Sequence, residues 1–139
     1  MAVFERAEYR DRITRVKARM AKGGLDVLIL TDPANLNYLS GYDGWSFYVH
    51  QCLIVAEDQD DPVWIGRAQD AAGARIPPWL PADAVIGYPD RYVQSTERHP
   101  MDFVAGLLVE RGWDKARIGT EQDVYYFNAA CQKALEAGL

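Results

Sequence analysis

The chain has 139 residues, 49% of them hydrophobic, with 20 acidic against 15 basic side chains and a net charge of −5. That length suits one domain with a sizeable core, and a negative balance with interleaved Arg and Lys argues against a nucleic-acid groove. No apolar run approaches the roughly 20 residues of a membrane span, and MAVFERAEYRDR carries charge from Glu5 onward where a secretory signal is apolar, so a cytoplasmic protein without a membrane partner is expected.

From Glu5 to Lys22, Tyr9, Ile13, Val16 and Met20 recur at helical spacing, with Glu8/Arg12 and Asp11/Arg15 as supporting pairs. Gly23-Gly24 ends that helix, and the apolar run Leu25 to Leu30 predicts a buried central strand. Asp32-Pro33 is a helix start, a capping oxygen followed by proline at the first helical position, and predicts a short helix to Leu39 that Ser40-Gly41 breaks. Asp43-Gly44 suggests a tight turn, and Phe47 to Ala56 a strand that pairs as a hairpin with Val63-Trp64-Ile65 across Glu57 to Pro62. The remainder alternates: a helix near Gln69 to Ile76, a strand Ala84 to Tyr88, a helix Pro100 to Arg111, a strand Ile118 to Glu121 and a helix Val124 to Leu135. The buried faces expected for the last two helices are Phe103, Val104, Leu107 and Leu108, and Val124, Phe127, Cys131 and Leu135. This is an α/β pattern: a mixed sheet with one antiparallel hairpin and helices on both faces, as a single domain over residues 1–139.

Little in the chain is equipped for catalysis on its own. Only His50 and His99 are available as imidazole bases; Ser40 and Ser46 lack a Gly-x-Ser-x-Gly elbow, and Cys52 sits in a predicted strand. Cys52 and Cys131 lie in apolar company and read as buried thiols of a reducing compartment, with a disulfide disfavoured. No His-x-x-x-His or Cys-x-x-Cys spacing signals a metal, and the acidic tract Glu57 to Asp61 lacks the glycine and ligand alternation of a calcium loop. Gly23-Gly24 precedes a strand, the wrong context for a phosphate cradle. No catalytic residue, metal ligand or cofactor is therefore expected within this chain. One segment does suggest binding: Tyr42 to His50 concentrates aromatic side chains beside a turn. Two uses compete there, alternate rings packing into the sheet, Phe47 above all, and a wall of rings facing a cationic ligand. For the segment as a whole the wall is expected, with Trp45, Phe47, Tyr48 and His50 as the substrate-binding candidates.

The run Met20 to Leu30 followed by Asp32 to Gly41, with Asn35, Tyr38, Leu39, Ser40 and Gly41 as an Asn-x-x-Tyr-Leu-Ser/Thr-Gly element, resembles the amino-terminal domain of creatinases and prolidases. Within that superfamily, Gly41 to Tyr48 and Gly87 to Pro100 are similar to ectoine hydrolases. The resemblance implies a ribonuclease H-like fold and a longer parent hydrolase whose "pita-bread" catalytic domain, outside this chain, carries the catalytic groups and sets any metal dependence. It also implies a homodimer in which this domain supplies dimer contacts and part of the wall around a small-molecule substrate. Creatinases place an arginine for the substrate carboxylate about where Val49 and His50 stand here, which speaks against creatine. Ectoine, a small zwitterion with a delocalised amidinium, suits an aromatic wall. The alternatives are the same domain of an Xaa-Pro dipeptidase or creatinase, and a free-standing α/β binding module.

Overall fold

The computed structural model describes residues 3–44, 46, 48–75 and 79–139. Helix α1 (Arg6–Gly23) buries Tyr9, Ile13 and Met20 and stops where Gly24 takes a left-handed φ of 71°. Strand β1 (Val27–Leu30) leads to helix α2 (Pro33–Ser40), and the hairpin strands β2 (Cys52–Ala56) and β3 (Val63–Arg67) follow. Helix α3 (Ala68–Ala74), strand β4 (Val85–Tyr88), helix α4 (Pro100–Glu110), strand β5 (Ile118–Thr120) and helix α5 (Ala129–Ala137) complete the fold.

The strands form one sheet in the order β4-β3-β2-β1-β5. β1 pairs in parallel with β5 and β3 with β4, whereas β2 runs antiparallel to both β1 and β3. Because side chains alternate along a strand, the sheet divides the core in two. Val27, Ile29, Cys52, Ile54, Val63 and Ile65 face α4 and α5, while Leu30, Leu53, Val55 and Trp64 face α1, α2 and α3. The mixed α/β sheet with helices on both faces is thus observed.

Four expectations are corrected. β1 is interior, between β2 and β5, and the middle strand is β2. Asp43 and Gly44 lie in irregular chain. β2 begins at Cys52, so Tyr48 to Gln51 of the expected strand precede it, Phe47 lying outside the described residues: the His50 carbonyl accepts from the Tyr88 hydroxyl, and the Gln51 side-chain amide donates to the Gly44 carbonyl at 2.8 Å. α5 begins at Ala129, not Val124, because Asn128 caps it, its side chain accepting from the Cys131 N–H at 3.1 Å. Ile76, the expected end of α3, lies outside the described residues. No helix among the described residues is long and apolar enough to cross a membrane.

Candidate functional site

Strands β1, β3, β4 and β5 all point their carboxyl ends at one edge of the sheet, and antiparallel β2 begins there. Helices α2, α3 and α5 also start at this edge, leaving backbone N–H groups directed at it. In open α/β sheets, ligands bind in the crevice beyond the carboxyl ends of the strands. Two segments of different character build that edge here.

The first is the turn from Asp32 to Gly41. Glu121, one residue past β5, accepts from the Thr31 N–H at 2.5 Å and the Asp32 N–H at 2.9 Å through one oxygen, and from the Asn35 amide at 2.6 Å through the other. Asp32 caps α2 by accepting from the Ala34 N–H. The guanidinium of Arg12, itself buried, donates to the Tyr38 carbonyl at 2.7 Å and stacks over the Tyr38 ring. Ser40 donates to the Leu36 carbonyl and accepts from the Tyr42 N–H, while its own carbonyl accepts from the Trp79 indole at 2.8 Å. Gly41 has φ 76°, and a Cβ there would sit 2.8 Å from the Tyr9 hydroxyl. Each member of the Asn-x-x-Tyr-Leu-Ser-Gly element therefore has a structural task, Leu39 being 2% exposed in the core.

The second segment is the loop from Tyr42 to Gln51. Trp45 and Phe47, two of the four predicted binding residues, lie outside the described residues. Tyr48 is half exposed and lines, with Tyr42, Ser46, Val49, Arg67 and Asp70, a cavity of about 260 Å³. Arg67 is fixed at its rim by a two-point pair with Asp90, at 2.8 and 3.2 Å, whose hydrogen bonds hold the Asp90 carboxyl below its usual pKa. Burial and the neighbouring Asp70 carboxylate push the Tyr42 hydroxyl pKa up. His50 is not in this cavity. It lines a smaller one of about 50 Å³ with Thr31, Tyr125 and Tyr126, and the buried Thr31 hydroxyl there has no hydrogen-bond partner among the described residues. Ser46 and Val49 line both cavities. Tyr48 and His50 are thus neighbours in sequence that serve different hollows.

His50 also belongs to a cluster that spacing gave no reason to expect. Its Nδ1 is 3.8 Å from the Cys131 sulfur, which is 3.9 Å from Nε2 of His99, and the two imidazole rings are 4.9 Å apart. His99 caps α4, Nδ1 accepting from the Met101 N–H at 3.0 Å. Burial lowers both imidazole pKa values, His99 lowering that of His50 further, and burial raises that of the Cys131 thiol. The neutral forms therefore prevail near pH 7. Cys52 is also a buried free thiol, its pKa pushed up to about 12 by burial and then by Cys131.

Residues 12–139 match the family model described as the Creatinase/Prolidase N-terminal domain. The chain belongs to this family. It is 47% identical over 133 residues, 95% of its length, to the ectoine hydrolase of Halomonas elongata, and 31% identical over 121 residues to the creatinase of Bacillus sp.. It spans about a third of the length of these curated relatives, 33% and 27% respectively. Among solved structures, the N-terminal domain of Xaa-Pro dipeptidase from Lactobacillus brevis superimposes with a TM-score of 0.73 at 21% identity, covering 92% of this chain and 87% of that one. The N-terminal domain of cytoplasmic peptidase PepQ from Mycobacterium tuberculosis follows at 0.64 and 26%, covering 94% and 84%.

In this creatinase/prolidase amino-terminal domain, the Asn-x-x-Tyr-Leu-Ser-Gly turn is closed by side chains from α1, the residue after β5 and the segment before β4, and the less regular loop follows it. Sequence reasoning missed Arg67, Asp70, Asp90, Glu121 and the convergence of His99 and Cys131 on His50. The segment Gly87 to Pro100, picked out by resemblance, held the one available signal, since it contains both Asp90 and His99.

Proposed function

We propose that this chain is the recognition and dimerisation domain of a cytoplasmic hydrolase that opens the ring of ectoine, or cleaves a C–N bond of a closely similar small solute, with catalytic groups supplied by a further domain. The identity of 47% across 95% of the chain to an ectoine hydrolase carries this reading. The chemistry of the 260 Å³ cavity supports it. Ectoine joins a carboxylate to a delocalised amidinium, and the cavity offers both complements. Tyr42 and Tyr48 place aromatic rings, and Asp70 a carboxylate, in the lining that would meet the cation. Asp90 engages only two of the five guanidinium N–H groups of Arg67, leaving donors for the anion. Arg67, on β3 at the wall of the cavity, is the cation offered to the carboxylate.

The test is an assay of the full reading frame on ectoine, creatine and a prolyl dipeptide, with the oligomeric state read by light scattering. Ectoine turnover by a dimer is expected. Cleavage of the prolyl dipeptide without turnover of ectoine, or a reading frame holding no hydrolytic domain, overturns the proposal.

A further inference from the structure

We propose that His50, His99 and Cys131 form a binding site for one thiophilic divalent cation, zinc being the fitting ion, held by the Cys131 sulfur, Nδ1 of His50 and Nε2 of His99. The site is separate from the proposed ectoine cavity and does not depend on that reading. The three ligand atoms all lie within 4.8 Å of one another, although the residues come from the entry to β2, the cap of α4 and the first turn of α5. Zinc bonds of about 2.3 Å to sulfur and 2.0–2.1 Å to imidazole give a sulfur–nitrogen tetrahedral edge of about 3.5 Å. The observed edges, 3.8 and 3.9 Å, are a few tenths longer, as an ion-free cage would be before contraction. The remaining nitrogen–nitrogen edge, no more than 4.8 Å, must shorten to about 3.3 Å on binding. One coordination position is then left for water, the pattern of an open rather than a fully closed zinc site.

The protonation states suit this ion. Burial keeps both imidazoles neutral near pH 7. The sulfur is fully buried, so a neutral thiol rests there, and binding must release its proton; affinity then rises with pH. His99 carries the one opposing contact. Its Nδ1 accepts from the Met101 N–H, so the hydrogen bonds assign the ring proton to Nε2, the nitrogen that would ligate. Binding shifts that proton to Nδ1 and uncaps Met101. One cap is worth about a fivefold factor in an equilibrium constant, against many orders of magnitude for a three-ligand zinc site. The Asp102 carboxylate, which accepts from the His99 N–H at 2.8 Å, keeps the other half of the capping box in place.

Titration of the metal-free protein with Co²⁺, followed by displacement with Zn²⁺, tests the site. The expected result is one equivalent bound with a near-ultraviolet thiolate-to-cobalt band, a raised thermal midpoint with zinc, and a shifted Met101 amide resonance. Cys131→Ala abolishes the band. His99→Asn, which keeps a capping oxygen, weakens binding by about tenfold or more. Should Cys131→Ala not fold, His99→Asn decides alone. Absence of the cobalt band at saturating metal overturns the proposal, as does unchanged affinity in His99→Asn or an unchanged band in Cys131→Ala.

Discussion

The turn from Asp32 to Gly41 and the loop from Tyr42 to Gln51 adjoin in sequence and share one edge of the sheet, yet different contacts hold them. In the turn, almost every polar group closes on a side chain from elsewhere: Glu121 on three donors, Arg12 on Tyr38, Trp79 on Ser40. Among the described residues of the loop, the Gln51 side-chain amide donates to the Gly44 carbonyl, the Tyr88 hydroxyl to the His50 carbonyl, and the Tyr42 ring packs edge-on against Trp64, while Tyr48 and Ser46 line a cavity. A turn closed by side chains from elsewhere in the fold fixes where the loop that follows it begins.

Substitutions should separate the two segments by their effect on stability. The largest loss is expected for Glu121→Ala, about 3 kcal/mol, because the Thr31 and Asp32 N–H groups and the Asn35 amide lose a charged acceptor together; denaturant unfolding measures it. Gly41→Ala should follow at about 2 kcal/mol, from the left-handed φ and the contact with the Tyr9 hydroxyl. Gln51→Ala, at the secured end of the loop, should cost about 1 kcal/mol. Tyr48→Ala should leave stability within about 0.5 kcal/mol while raising KM for ectoine in the full-length enzyme roughly tenfold with kcat little changed. Equal destabilisation by Tyr48→Ala and Gly41→Ala would erase the distinction.

Acid offers a gentler probe of the far end of the loop. His50 and His99 have folded-state pKa values below the ordinary 6.5, so the unfolded chain binds more protons in the window beneath that value. Their contribution to stability is therefore complete above about pH 6.5 and declines as pH falls through the window. The thermal midpoint of the metal-free protein should drop between pH 7 and 5, and the drop should shrink in a His50→Gln, His99→Asn double variant.

How far the sequence revealed all this follows from the range of the interactions. α1, α2 and the β2–β3 hairpin were legible because their signals are local: helical spacing, Asp32-Pro33, and two apolar runs around an acidic turn. The starts of β2 and α5 were read too early because apolar residues continue through Val49 and through Val124 and Phe127, whereas the boundaries depend on Tyr88, Gln51 and Asn128 side chains. Of the four binding residues expected in the aromatic loop, Tyr48 and His50 line hollows, different ones, and Trp45 and Phe47 lie outside the described residues. Arg67, Asp70 and Glu121 carry no motif of their own. His50 and Cys131 are separated by 81 positions and His99 and Cys131 by 32, so only the folded topology brings them together.

The reversed direction of β2 has a consequence for how such domains diversify. Its register against β3 is set by the connection Glu57 to Pro62 at the opposite end of the sheet, and its register against β1 by the pairing of Val27 with Ala56 through Leu30 with Leu53. The segment entering β2 is fastened from outside the ladder, by the Tyr88 hydroxyl on the His50 carbonyl and the Gln51 side chain on the Gly44 carbonyl. An exchange at half-exposed Tyr48 leaves the rungs of the ladder in place and gives such domains room to differ there, whereas one at Val49, buried against the core, does not.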